Sequence, residues 1–236
     1  MSRMKFEGLL ENEFTLSDKV LRSKNGTDSG VIDVPVENLI LDEENITIFG
    51  DFNQDSIDSL SKDIENDGFK GTILAYPIRK DGDLQFYQIE SGHKRYLAAK
   101  QAGLKKVPVI VTEIPKSDAE RRLRLISMNL HTRETPKPSI LANEAAILLN
   151  SIRELREEEG LSTDMTTLTQ LVAERMERST KAIEKYRQFK KLIPKLQDLA
   201  DEGASWSALV NCSSLSPERQ EMIAFKIRNE AETVGV

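Results

Sequence analysis

Every stretch of this chain that reads as a β-strand lies before Pro115, and everything beyond it reads as helix. That change of period excludes a single continuous sheet and asks for an α+β part followed by an all-α part. Residues 1–30 are polar, end in RSKNGTDSG and read as a mobile arm. Val31–Leu41 reads as a short strand with Ile32, Val34 and Val36 apolar, and residues 42–54 as loop. Asp55 or Ser56 is placed to cap a helix running to Asn66, with Ile57, Leu60 and Ile64 on one side and Gly68 as its stop. Thr72–Arg79 and Leu84–Glu90 read as strands joined through Lys80-Asp81-Gly82-Asp83, a hairpin signal. A helix from His93 to Gln101 and a strand over Val107–Glu113 complete the first part.

Beyond Pro115, Ser117–Leu130 reads as a helix broken by HTRETPKP at 131–138, because Pro136 and Pro138 fit poorly inside one. Ser139 is a candidate cap for the next helix, which presents Ile140, Leu141, Ala145, Leu148, Leu149 and Ile152. The organisation expected is therefore an arm over 1–30, an α+β domain over 31–115, linker helices over 116–160 and a helical domain over 161–236. Pro194 starts a short helix that stops near Gly203; Trp206, Leu209 and Val210 belong to another; and Ser216-Pro217-Glu218 starts the last, with proline where no amide bond is lost.

Within the last domain, Thr169–Gln188 has the spacing of a helix-turn-helix. Leu171, Val172, Met176 and Ile183 are its apolar anchors, Ala173 is small enough for a helix crossing, and Glu177–Ser179 interrupts the apolar run. Charge separates this stretch from the rest. From Thr166 to Lys195 eight bases face three glutamates, a balance of +5 in a chain of net −6. Residues 1–120 hold 15 Lys/Arg against 22 Asp/Glu, so the two halves are expected to do separate jobs, a small ligand or protein partner in front and nucleic acid behind. A surface hairpin that binds nothing has the same spacing. If it meets duplex DNA, Ser179, Thr180, Lys181, Glu184 and Lys185 are placed for base edges or nearby phosphates. Arg175, Arg178, Arg187 and Lys190 would then position the backbone. A dimer would favour a palindromic site.

A second stretch, Gln88-Ile89-Glu90-Ser91-Gly92-His93-Lys94-Arg95, ends a strand, turns at glycine and opens a helix on two cations. Cations oppose the dipole at a helix N-terminus, so their presence makes sense if a phosphate docks on the free amides. A plain turn with two solvated bases is the equal alternative. His93 and His131 are the only histidines and lack the spacing of a zinc site. Asn129 and Arg133 flank His131, suited either to a nucleotide or, for Asn129, to a helix cap. Cys212 is the only cysteine, which excludes an intramolecular disulfide. The opening MSRMKFEGLL lacks the apolar core of a secretory signal, and no stretch has the apolar length to cross a bilayer, so the cytoplasm is the expected location.

Taken in this order, the motifs resemble the ParB/Spo0J-like partition family over roughly residues 31–220. Gly92, His93, Lys94 and Arg95, with Ala98 following, fall on its Gly-Glu-Arg-Arg-type phosphate motif. Asn129 falls on its nucleotide- and metal-gripping asparagine, with Arg133 offset from its arginine. Ile193-Pro194, Gly203 and Leu215–Gln220 match the region after its helix-turn-helix. The resemblance implies a ParB/sulfiredoxin-like α+β domain followed by an all-α helix-turn-helix domain. It also implies CTP with Mg2+, clamp closure on DNA, a homodimer and a ParA-like ATPase partner. His93 stands where the family has glutamate, Met128 where a glutamate precedes the asparagine, and the Pro-Arg segment is missing from Asp42–Ile48. Magnesium-nucleotide sites want oxygen ligands, so these departures weaken hydrolysis, a weak CTPase activity, more than phosphate binding. Two other readings stay open: a helix-turn-helix regulator of transcription or copy number that ignores nucleotide, and an enzyme of the ParB/sulfiredoxin-like fold.

Overall fold

A computed structural model describes residues 30–130 and 136–234, so the arm over 1–29 and Arg133 lie outside the described residues. The chain forms two compact units, Met1–Ser117 and Asp118–Val236.

The first unit is built on a five-stranded mixed sheet: β1 (Val31–Pro35), β2 (Leu39–Ile40), β3 (Ile73–Asp81), β4 (Leu84–Ser91) and β5 (Lys106–Val111). Their spatial order is β1-β5-β3-β4-β2. β3 and β4 are the antiparallel hairpin expected around Gly82, pairing Asp81 with Leu84. β5 returns parallel to β3 and antiparallel to β1, which places β3 centrally. One face is apolar. Ile73, Ala75, Ile89, Val107 and Val109 are fully buried there, clustered with Ile57 and Ile64 of α2 (Gln54–Asp67) and Tyr96, Ala98 and Ala99 of α3 (His93–Gln101). Alanines at 98 and 99 let α3 lie close to α2 and to the sheet.

Three expectations are corrected. Residues 42–54 are not loop: Glu43–Phe49 is a helix, α1, which buries Ile48 and Phe49 and ends at Gly50. The Asp42 carboxylate accepts from the Glu44 amide, and Glu43 and Glu44 complement the dipole of the first turn. α2 is capped by Asn53, which accepts from the Ser56 amide, rather than by Asp55 or Ser56. The expected strand Val31–Leu41 is also divided, by a 3-10 turn at Val36–Asn38.

The second unit is helical throughout: α4 (Asp118–Ser127), α5 (Pro138–Glu158), α6 (Met165–Arg175), α7 (Thr180–Phe189), α8 (Pro194–Asp201), α9 (Trp206–Leu209) and α10 (Pro217–Val234). α5 is its axis. Ala142, Ala145, Leu148, Leu149 and Ile152 are buried on it, and α4, α6, α7 and α8 all contact it. Pro138 occupies the first helical position of α5 and Lys137 the cap. Ser139 does not cap; its amide and hydroxyl donate to the Asp201 carboxylate and tie α5 to α8.

Candidate anion turn and helix-turn-helix face

The anion turn is shaped by one backbone conformation. Gly92 sits at φ +96°, and a Cβ there would meet Ile73 Cγ1 at 3.3 Å and Ile73 Cα at 3.4 Å. The left-handed bend and the contact with β3 both require glycine. The first intrahelical bond of α3 runs from the Tyr96 amide to the Gly92 carbonyl, 2.9 Å, and no side chain caps the helix. The amides of His93, Lys94 and Arg95 therefore lie at an uncapped positive helix end. Lys94 and Arg95 are exposed beside it. The Arg95 guanidinium folds back to donate to the Thr72 carbonyl, and lies 3.3 Å from where a Cβ on Gly71 would stand.

His93 belongs elsewhere. It is 4% exposed, its ring stacked on Phe52 with centroids 6.2 Å apart. Nδ1 stands 3.4 Å from Asn45 Nδ2, which can only donate, so Nδ1 accepts and the proton sits on Nε2. Nε2 is buried without a hydrogen-bond partner. Burial pushes the imidazole down to about 4, against an opposing pull from the Asp42 carboxylate. The side chain thus pins α1 to the start of α3, and what position 93 offers an anion is its backbone amide. Glu90, buried at the end of β4, accepts from the Thr112 hydroxyl. Asn129, in the second unit, has a helix-end role: Nδ2 donates to the Leu125 carbonyl at 2.7 Å.

The helix-turn-helix is formed by α6 and α7. Asp164 caps α6, accepting from the Thr167 amide at 2.9 Å and from the Ser162 and Thr167 hydroxyls, and these bonds hold its carboxyl below the ordinary carboxylate range. Leu168, Val172 and Ala173 of α6 are buried, as are Ile183, Tyr186 and Phe189 of α7. The turn closes with Glu177 at φ +50° and a bond from the Arg178 amide to the Ala173 carbonyl, 2.9 Å. Ser179 caps α7 through the Ala182 amide, so its hydroxyl is engaged.

Ser179, Thr180, Lys181, Glu184 and Lys185 are all exposed within this unit. Arg187 pairs with Glu184 at 2.6 Å, and Lys190 donates to Asn143 of α5. Arg175 donates to Ser127 Oγ at the end of α4; Arg178 is exposed, its positive charge opposing the burial that raises the Tyr186 pKa. Arg175 thus braces the motif itself. Trp206, read from the sequence only as part of a short helix, lays its ring against Tyr186 at 5.3 Å and 18°. Its stacking partner on the inner face of α7 was hidden until α9 was placed.

Among known proteins, residues 22–129 match the family described as ParB N-terminal domain. The chromosome-partitioning protein ParB of Myxococcus xanthus is 34% identical over 91 residues, taking in 39% of this chain and 28% of that protein, so the match spans little more than a quarter of the relative. A Pnob8-like ParB-N domain structure superposes with a TM-score of 0.50 at 16% identity, covering 86% of this chain and 96% of that one. The C-terminally truncated ParB of Caulobacter crescentus complexed to the centromeric parS site gives a TM-score of 0.48 at 22% identity, covering 83% and 99%.

Proposed function

We propose, for a chain whose residues 22–129 match the ParB N-terminal domain, that this is a DNA-partition protein of the ParB type, gated by a nucleotide. The observation that carries the DNA half is the exposed α7 face, with Lys181 and Lys185 unburied on a net +5 segment. In this reading α7 enters a major groove, Thr180, Lys181 and Lys185 meet base edges, and Arg187, Lys190 and Lys191 meet phosphates. Glu184 is held by Arg187 and Gln188, so it orients those side chains and is less available to a cytosine amino group than its position alone suggests. A homodimer would present two such helices to a palindrome, and a ParA-like ATPase is the partner assigned from the family.

The nucleotide half rests on the Gly92 turn. Its uncapped amides, with Lys94 and Arg95 alongside, fit a polyphosphate, and CTP is the nucleotide we assign. Among the described residues no group of three or more His, Cys, Asp or Glu side chains is arranged for a metal. Mg2+ would then arrive with the nucleotide phosphates and its own waters. CTP with Mg2+ supplies charge that can order segments around it; the protein's part is to bind and orient. Among the described residues no helix is long and apolar enough to cross a membrane, and the protein is placed with the nucleoid or a plasmid.

Selection from a random-sequence duplex pool, followed by sequencing, tests the DNA half: a palindromic consensus is expected, and unenriched sequence would overturn it. Calorimetry with CTP, with and without the selected duplex, tests the other half. Heat lost in Lys94→Ala/Arg95→Ala supports the turn. DNA binding with no CTP heat makes the chain a nucleotide-blind helix-turn-helix regulator.

A further inference from the structure

The geometry points to Trp206 as a positioning residue that sets DNA sequence preference through Lys185; this rests on the DNA-binding reading above. α9 opens on Trp206 and is anchored by Leu209 and Val210, both buried. The indole lies nearly parallel to Tyr186 at 5.3 Å and edge-on to Phe189 at 6.4 Å and 75°. Both partners are on the buried side of α7, so the indole covers the seam from which Lys185 emerges. Lys185 Nζ stands over the ring, 6.0 Å from its centroid.

A lysine on an exposed helix face ordinarily samples many rotamers, and binding has to freeze them. An aromatic face within about 6 Å attracts the ammonium, and the aliphatic stem packs along the ring. The free protein thereby holds Lys185 in one region of the α7 face before DNA arrives. Preorganisation of this kind favours the sequence whose acceptors match that region over sequences that require the lysine to move. Guanine O6 and N7 are the base-edge acceptors suited to lysine. Lys181, one turn earlier on α7, has no such ring contact among those described.

The test measures affinity of the full chain for the duplex it selects from a random pool and for a scrambled duplex of the same composition. Trp206→Leu is expected to weaken the selected duplex about two- to fivefold, the range of an exposed cation–π contact, with the scrambled duplex unchanged. Trp206→Phe should restore most of the preference. In a Lys185→Met background, Trp206→Leu should add nothing further. Equal losses on both duplexes, or losses at the two positions that simply multiply, would assign Trp206 to packing alone and overturn the inference. Trp206 is the only tryptophan, so its fluorescence is a second readout needing no substitution of the ring. Lys185→Met should shift its emission in the free protein and Lys181→Met should not; indistinguishable spectra for wild type and Lys185→Met would overturn the contact. Failure of the wild type to bind any duplex would instead bring down the DNA-binding reading.

Discussion

Gly92→Ala is the substitution most tightly specified by the structure. At φ +96° an alanine occupies the left-handed region, which costs an L-residue about 1–2 kcal/mol. Its methyl group would stand 3.3 Å from Ile73 Cγ1 and 3.4 Å from Ile73 Cα. The side-chain contact can relax by a rotamer shift, but the Cα belongs to the central strand β3. Tight packing against a fully buried residue then adds about 1 kcal/mol. Gly82→Ala is the control: it has φ +56° and nothing within 4 Å, so it carries the backbone cost alone. The expected loss for Gly92→Ala is about 2–3 kcal/mol, roughly 1 kcal/mol beyond the control. Hydrogen exchange across 84–101 in a urea series reads the first unit directly. With a urea dependence of about 1–3 kcal/mol per molar, the opening midpoint should fall by about 1 M or more. Equal midpoints for the two variants would refute the argument that Ile73 shapes the turn.

Three further outcomes follow from named contacts. The His93 imidazole protonates at about 4 when folded against an ordinary 6.5, so between those values the unfolded chain binds more protons. Stability from this residue is complete above about 6.5 and drains as pH falls toward 4, by roughly 3 kcal/mol, and His93→Leu should flatten that interval in urea midpoints taken from pH 4 to 7. Glu177→Gly removes a non-glycine residue from φ +50° and should raise stability by about 1 kcal/mol net of the added chain entropy, read as a higher midpoint of the Trp206 transition. Arg187→Ala with Lys190→Ala should weaken selected and scrambled duplexes alike and reduce the slope of log affinity against log salt by about 0.9 per lost phosphate contact; an unchanged slope would remove both from the interface.

The features legible in the sequence are those written in short spacings. The Asp81-Gly82-Asp83 hairpin, the Gly92 turn into α3, the break at Glu177–Ser179 before α7 and the proline starts of α8 and α10 each rest on a few adjacent residues. α1 was missed because seven residues carry too little period, and Ile46, Thr47 and Ile48 have no particular preference for helix; the Asp42 cap with two acidic residues after it was the signal to be found. His93 illustrates a different limit. Position in the first turn of α3 places the amide at the uncapped helix end, but which way the ring turns depends on Asn45 and Phe52, some forty residues earlier. The same holds for Arg175. Its charge adds to the basic stretch, while Ser127 decides that its guanidinium is tied to the end of α4.

The central claim is that the α7 face of the second unit lies against duplex DNA. Fluorescence anisotropy of the selected duplex, titrated with wild type and with Lys181→Glu/Lys185→Glu at 50, 100 and 200 mM salt (about the range over which counterion release is steep), tests it most directly. The account predicts that wild-type affinity falls with salt, and that the reversed pair abolishes selective binding while melting like wild type. Undiminished, equally selective binding by the reversed pair would contradict it.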